Sequence, residues 1–204
     1  NFEQITEEID TLQNSETKIE ELRLESAALE KELTKIATDL HKKREGGSKT
    51  LATSVNKELL DLNMKGVTFH VSIEKLAAMN SSGLSDVEFM SQSSSKDPLR
   101  PLAKFASGGE LSRILLSLKR VVGTSLQPRT YLFDEVDTGV SGPTAEKVGK
   151  KLKSIAKGQQ VICITHLPQI AAFADTHFAV RKTVRAGCTE SEILSLEHEE
   201  RVSE

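Results

Sequence analysis

Ser107-Gly108-Gly109-Glu110 stands directly at the head of an apolar-periodic run, Leu111, Ile114, Leu115, Leu118, Val121 and Val122. A Ser-Gly-Gly turn that opens a helix offers unpaired backbone N–H groups, a hydroxyl and the positive end of the helix dipole, which together form a nest for an anion. Further along, Asp134-Glu135 ends a short apolar segment, Thr130-Tyr131-Leu132-Phe133, and His166 ends another, Val161-Ile162-Cys163-Ile164-Thr165. Two adjacent carboxylates at a strand end call for a metal, a water or a phosphate nearby. Each cluster alone also has a plain structural reading: a helix cap, a strand ending on the surface, a histidine satisfied by its neighbours. Their order and spacing carry the functional reading.

The elements that position these groups can be read from periodicity. Gly142 to Lys157 carries apolar residues at Ala145, Val148, Leu152 and Ile155 and closes at Gly158, which predicts a helix between the two apolar segments. Strand, helix, strand at this length is a right-handed crossover with parallel strands. Ligands of open α/β sheets gather at the carboxyl ends of the strands, where Asp134, Glu135 and His166 would then lie together.

The longer strings narrow the chemistry. Ala106-Ser107-Gly108-Gly109-Glu110-Leu111-Ser112-Arg113, then Phe133-Asp134-Glu135-Val136-Asp137-Thr138-Gly139-Val140-Ser141-Gly142, then Cys163-Ile164-Thr165-His166-Leu167-Pro168-Gln169-Ile170, resemble in this order the carboxyl-terminal lobe of ABC-type ATPase heads. More narrowly, they resemble the RecN family of SMC-like bacterial DNA-repair ATPases. The resemblance covers roughly residues 20 to 204 and is strongest from Phe105 to Val180. It implies an α/β fold, the carboxyl-terminal lobe of an ABC/SMC-type P-loop ATPase head preceded by an amino-terminal coiled-coil helix. It divides the chain into a returning coiled-coil arm over 1–62 and the lobe over 63–204.

The resemblance also implies roles. ATP and Mg2+ would be the cofactors, with Asp134 toward Mg2+ directly or through its water shell, Glu135 as base or water-orienting residue, and His166 as the switch histidine near the γ-phosphate. Asp137, Thr138 and Gly139 match the loop that crosses the dimer seam. Ser107, Gly108, Gly109 and Glu110 match the signature that caps a nucleotide held by a second head, and Glu110, where transporters more often carry Gln, favours the SMC-like branch. Arg113 reads equally as a brace for that loop or as a charge on the helix surface. The implied partners are DNA at double-strand breaks, a second copy joined through the heads, the protein's own amino-terminal lobe and the recombinase RecA, in the cytoplasm of a bacterium and associated with the nucleoid. No Gly-x-x-x-x-Gly-Lys-Ser/Thr string occurs in the sequence, so the chain by itself is expected to bind ATP poorly and to be inactive. The first residue is Asn1 and the last is Glu204 within a charged run, which reads as a fragment of a longer protein.

Composition restrains this picture without deciding it. With 27 Lys and Arg against 30 Asp and Glu, the formal charge of −3 gives no global pull toward nucleic acid or an anionic membrane. No run of about 18 apolar residues indicates a membrane span. The two cysteines, Cys163 in an apolar segment and Cys188 in an expected loop, form neither metal spacing nor a disulfide framework, which suits a reducing compartment.

Upstream, Ile5, Ile9, Leu12, Ile19, Leu22, Leu29, Leu33, Ile36 and Leu40 form a narrow seam, with Glu16 and Ser26 at two of its places and a stammer at Ile19 to Leu22. A helix with so narrow a stripe needs a partner helix. Gly46-Gly47 predicts a hinge or a frayed turn, at a cost of about 2 kcal/mol in helix propensity relative to alanine. Val67, Phe69, Val71 and Ile73 alternate with polar residues as a half-buried strand, with a partner through Val87 and Phe89 across an Asn80-Ser81-Ser82-Gly83 loop. His70 falls on its polar face as a surface residue. Ser91 to Pro101 reads as a mobile connection, 168–174 as a short helix, 178–181 and 193–196 as closing strands, and 198–204 as the start of a helix. Asp137-Thr138-Gly139 is also the tripeptide of aspartic proteases, but Asp134-Glu135 beside it would crowd a catalytic dyad. The same clusters would also suit the lobe of a transport ATPase, or a non-enzymatic coiled-coil scaffold that keeps a relic ATPase lobe.

Overall fold

The structure, a computed structural model, describes the backbone of residues 2–104, 107–123, 127–185 and 188–203, and the side chains within 14–184, 189–197 and 199–201. Phe105 and Ala106, which head the signature string, lie outside the described residues, as do the side chains of the seam residues Ile5, Ile9 and Leu12.

The chain divides into two compact units, Asn1–Lys49 with Ser72–Glu88, and Thr50–Val71 with Phe89–Glu204. Helix α1 (Phe2–Asp61) and the hairpin of β1 (Thr68–Asn80) and β2 (Gly83–Gln92) contribute residues to both. α1 is helical through Gly46 and Gly47, so the expected hinge is absent. Neither glycine has a positive φ, and neither has a neighbour within 4 Å of where a Cβ would be. The flanking residues therefore carry the helix past them. In the first unit, Ala37 is buried, with Gly83 of the hairpin against Ala37, Leu40 and Arg44. His41 Nδ1 pairs with Ser85 Oγ at 2.9 Å, and Arg44 donates to the Ser82 carbonyl at 2.8 Å. The seam residues Ile19, Leu22, Leu29, Leu33, Ile36 and Leu40 stay exposed, so the hairpin leaves most of the apolar stripe uncovered.

In the second unit, the last turns of α1 bury Val55, Leu59 and Leu62 in one core with Phe69, Ile114, Leu116, Phe133, Val136, Val148 and Leu152. Asn56 brackets Phe69 with two hydrogen bonds, accepting from its N–H at 2.8 Å and donating to its carbonyl at 2.9 Å. β3 (Arg100–Pro101) pairs antiparallel with Met90 and Ser91, so the stretch expected to be a mobile connection is tied back at its end. His70 is exposed, as expected.

Helix α2 (Gly108–Val122) is followed by β4 (Thr130–Phe133), α3 (Pro143–Ile155), β5 (Gln160–Cys163) and α4 (Pro168–Ala171). β4 and β5 are parallel, with Thr130 opposite Gln160 and Phe133 opposite Cys163, as the strand-helix-strand pattern predicts. α3 buries Ala145, Val148, Leu152 and Ile155, the four residues its periodicity names, together with Gly149 and Lys151. Lys151 reaches back to the end of α1, to Glu58 at 2.5 Å and Asp61 at 2.7 Å, and Lys147 meets Asp61 at 3.0 Å. β6 (Phe178–Arg185) and β7 (Cys188–Ser195) form an antiparallel pair, longer than the sequence suggests, with Cys188 at the start of β7 rather than in a loop. α5 (His198–Ser203) closes the described chain.

Candidate functional site

The nest is built at the start of α2. Ser107 is its N-cap, with φ −101° and ψ 112°, and its Oγ accepts from Glu110 N at 3.4 Å while its carbonyl accepts from Leu111 N at 3.0 Å. Ser, Thr, Asp and Asn are favoured there because their side chains satisfy donors that the helix leaves free. Ser107 and Gly108 are exposed and Gly109 is buried. Gly109 is required by close approach: a Cβ there would lie 2.8 Å from Thr138 Cβ and 3.0 Å from the Glu135 carbonyl oxygen. A Cβ on Gly108 would meet only the end of the Glu135 side chain, at Oε2.

The turn after β4 carries the carboxylates. Asp134 and Glu135 are exposed at the strand end. Glu135 holds φ 56°, a left-handed conformation that costs a non-glycine residue about 1–3 kcal/mol and persists where its surroundings over-determine it. Hydrogen bonds on both sides hold it so: Glu135 N donates to Asp134 Oδ1 at 2.9 Å, Thr138 N donates to the Glu135 carbonyl at 3.1 Å, and Ser112 Oγ of α2 donates to the Asp134 carbonyl at 2.7 Å. Gly139, at φ 72°, lets the chain leave the turn toward α3.

Asp137 ties the two strand ends together. It is 3% exposed, and its Oδ2 accepts from Thr165 Oγ1 at 2.5 Å and from His166 N at 2.9 Å, with His166 Nδ1 3.0 Å away. Burial alone would raise its pKa, but the hydrogen bonds from Thr165 and His166 N, with the His166 ring, outweigh burial and hold it below the usual carboxylate value. The carboxylate holds His166 by Nδ1, and the ring is otherwise exposed. With its carboxylate committed to the end of β5 in its own chain, Asp137 does not present the open carboxylate of a protease dyad.

Cys163 ends β5 nearby. Burial, with the negative charges of Asp137 and Asp134 added, pushes its thiol up to about 12.

Arg113, for which the sequence allows two readings, is 7% exposed and faces the same turn from α2. Its Nη1 donates to the Thr138 carbonyl at 2.6 Å and lies 3.4 Å from that of Val136. Ser112 and Thr165 carry no signal in the sequence, since a serine on a helix and a threonine beside a histidine are ordinary surface residues. The signal for Arg113 is its position four residues after Gly109, on one helix face. Glu110 accepts weakly from Ser93 Oγ at 3.4 Å and borders a cavity of about 270 Å3 with Arg113, Lys65, Ser141 and Thr144. Asp134, Glu135 and His166 do not line it, so the strand-end groups form an open surface.

No cluster of three or more His, Cys, Asp or Glu side chains able to cage a metal occurs among the described residues. Exposed Asp134, with one carboxylate oxygen engaged by Glu135 N, fits Mg2+, which keeps waters and is usually held by one or two carboxylates with phosphate oxygens. It does not suit a metal that needs an all-protein cage.

No family model matches the chain. The chain is 34% identical over 215 residues to the DNA repair protein RecN of Bacillus subtilis (strain 168), an alignment covering 98% of this chain and 37% of that protein. It is 37% identical over 207 residues to the DNA repair protein RecN of Halalkalibacterium halodurans, covering 98% and 36%. The chain thus spans a little over a third of the length of these curated relatives. Among solved structures it is similar to the Smc head domain with an extended coiled coil bound to the C-terminal domain of ScpA derived from Pyrococcus furiosus, with a TM-score of 0.56 at 19% identity, over 92% of this chain and 45% of that one. At that identity the likeness bears on the fold, which is that of an ABC/SMC-type ATPase lobe with a long amino-terminal helix.

Proposed function

This chain belongs to the RecN family, and from that premise we propose that it is the signature-bearing part of an ATPase in DNA double-strand-break repair and recombination, whose heads close on ATP and part on its hydrolysis. Residues 1–62 act as the returning coiled-coil arm and 63–204 as the carboxyl-terminal lobe. The observation that carries the proposal is the parallel register of β4 and β5, which brings the strand ends that carry Asp134, Glu135 and His166 to one edge, with the exposed Ser107 turn against Glu135.

Within this proposal Ser107, Gly108 and Gly109 donate to the γ-phosphate of a nucleotide carried by a second copy, with Glu110 closing the signature. Asp134 contributes a carboxylate oxygen to the Mg2+ shell, and Mg2+ when bound offsets charge on the phosphates. Glu135 accepts a proton from, or orients, the attacking water, and His166, held by Asp137, directs Nε2 toward the phosphate. Asp137, Thr138 and Gly139 face the second copy. The β- and γ-phosphate-binding loop comes from the protein's own amino-terminal lobe, so this chain alone is inactive. That lobe covers the face where Leu132, Ile162 and Ile164 are 65%, 47% and 56% exposed, and a relative of which this chain spans 37% is long enough to include it. DNA and RecA are the partners, in the bacterial cytoplasm at the nucleoid. No helix among the described residues is long and apolar enough to cross a membrane.

DNA-stimulated ATP hydrolysis by the full-length protein, with and without Glu135→Gln, tests this. We expect stimulation in the wild type, and in the variant a loss of turnover of about 100-fold or more with ATP binding retained. Activity indifferent to DNA would count against repair, and a wild type with no activity would favour a non-enzymatic scaffold.

A further inference from the structure

A guanidinium taken out of water with part of its hydrogen-bonding capacity unmet is an expensive choice for a helix face, and any apolar residue of similar length would pack there at less cost. Arg113 is such a case: it is buried, its Nε finds no hydrogen-bond partner among the described residues, and burial lowers its pKa against the pull of the Glu110 and Asp137 carboxylates. What it achieves in return is local. One nitrogen engages the carbonyls of Val136 and Thr138 on either side of Asp137, and so fixes the residue that holds His166. One residue earlier, Ser112 fixes the Asp134 carbonyl on the other side of Glu135. Gly109, four residues before Arg113, packs directly on Thr138 and the Glu135 carbonyl.

We infer that Arg113 is a positioning residue that clamps the 134–138 turn to α2, so that the signature turn and the hydrolytic groups of one chain move as a single body. The inference rests on the proposed function and deepens it. In a closed pair the signature turn of one chain would sense the nucleotide of the other, whereas Glu135 and His166 act on their own chain's nucleotide. Arg113 then couples the two nucleotides: phosphate captured at the start of α2 sets the geometry of Glu135, and through Asp137 that of His166, in the same chain. Arg113 touches neither nucleotide.

The test uses full-length protein carrying Arg113→Lys, with Ser112→Ala as a second variant at a half-buried site where folding is not at stake. Lysine keeps the charge, but its side chain is one atom shorter and it lacks the planar guanidinium, so it cannot reach both carbonyls from the same buried position. We expect Arg113→Lys to lower kcat about 10- to 100-fold, the scale of a lost charge-assisted hydrogen bond, with KM for ATP changed less than about threefold and the Hill coefficient falling toward 1. Ser112→Ala should shift kcat the same way by a smaller factor. Amide hydrogen exchange across 134–139, read in the same proteins without ATP, should quicken in both variants. Wild-type kcat and cooperativity in Arg113→Lys, or a loss accounted for by a lowered melting temperature alone, would overturn the coupling role. Unchanged exchange in the turn would overturn the clamp. If the wild type hydrolyses no ATP while the variants still loosen the turn, the ATPase proposal fails and the coupling role fails with it, leaving a clamp that serves structure alone.

Discussion

Gly108 and Gly109 are adjacent in sequence, yet the structure predicts opposite consequences for the same substitution. In Gly109→Ala the new methyl group lies 2.8 Å from Thr138 Cβ and 3.0 Å from a backbone carbonyl, neither of which can rotate away. Overpacking of this kind costs about 1–3 kcal/mol, and the gain in helix propensity from Gly to Ala returns up to about 1 kcal/mol, less at a helix start. The net is roughly 1 kcal/mol of destabilisation, or about 2–4 °C in Tm for a domain of this size. In Gly108→Ala the only obstacle is the end of the Glu135 side chain, which can swing aside for about 0.5–1.5 kcal/mol. That cost is similar to the propensity gain, so Tm should stay within about 2 °C. Turnover should nevertheless fall in Gly108→Ala, because the displaced group is the proposed water-orienting carboxylate. Thermal melts of the two variants beside their ATPase rates separate the effects. Equal destabilisation, or Gly108→Ala as the less stable of the two, would refute the packing assigned to this turn.

Asp137 has its pKa held below the ordinary carboxylate value, so it contributes stability above the unfolded pKa of about 3.9 and loses it as pH falls through the lower folded value. Asp137→Asn should therefore melt earlier than wild type at pH 6–7, and the gap should begin to narrow only as pH falls below about 4. Lys151→Met strands Glu58 at the end of α1 and leaves Asp61 to Lys147 alone. With Lys151 itself buried but Asp61 half exposed, we expect a loss of about 1–3 kcal/mol in chemical denaturation, and no loss would show the cluster to be a surface pair. The Cys163 thiol, pushed up to about 12, should alkylate in the native protein about 100- to 1000-fold more slowly than a free cysteine of pKa about 8.5, the lower thiolate fraction outweighing the greater nucleophilicity of each thiolate, as peptide mapping after timed iodoacetamide treatment would measure.

What the sequence makes legible here is whatever local periodicity and caps determine. Ser107 at the helix start, the apolar segments 130–133 and 161–165, and the α3 stripe all describe short-range preferences, and the structure follows them, except that β5 already ends at Cys163. The buried face of α2 is harder to read. Leu111, Ile114, Leu115 and Leu118 mark the apolar stripe, but the buried residues are Gly109, Arg113, Ile114, Leu116 and Ser117, while Leu115 is 42% exposed. Steps of four from Gly109 through Arg113 to Ser117 trace one helix face, hidden because two of its members are polar and the third has no side chain. Polar groups become core residues only through partners distant in sequence, here the carbonyls of Val136 and Thr138. The same holds for Asp137, whose burial depends on Thr165 and His166. The expected hinge fails for the converse reason. Propensity charges two glycines against α1, yet a helix of 60 residues absorbs the penalty when the residues on both sides are helical.

The exposure of the strand-end groups constrains the chemistry further. Asp134, Glu135 and the ring of His166 all face solvent, and water there screens the electrostatic interactions that phosphoryl transfer depends on. The cavity beside α2 offers no substitute, because it is lined by Lys65, Ser93, Glu110 and Arg113, among others, and by none of the three. A hydrolytic site on this surface must therefore be closed from outside. The Ser107 turn is equally exposed and carries the complementary chemistry, donors where the strand ends present acceptors. Two copies related by a twofold axis can bring each turn over the other's carboxylates, and such a pairing makes two equivalent sites at once. Glu135 keeps a left-handed backbone in this open surface because α2 holds the turn through Ser112, Gly109 and Arg113 of the same chain, so that in the proposed pair the turn would be set before a second copy arrived.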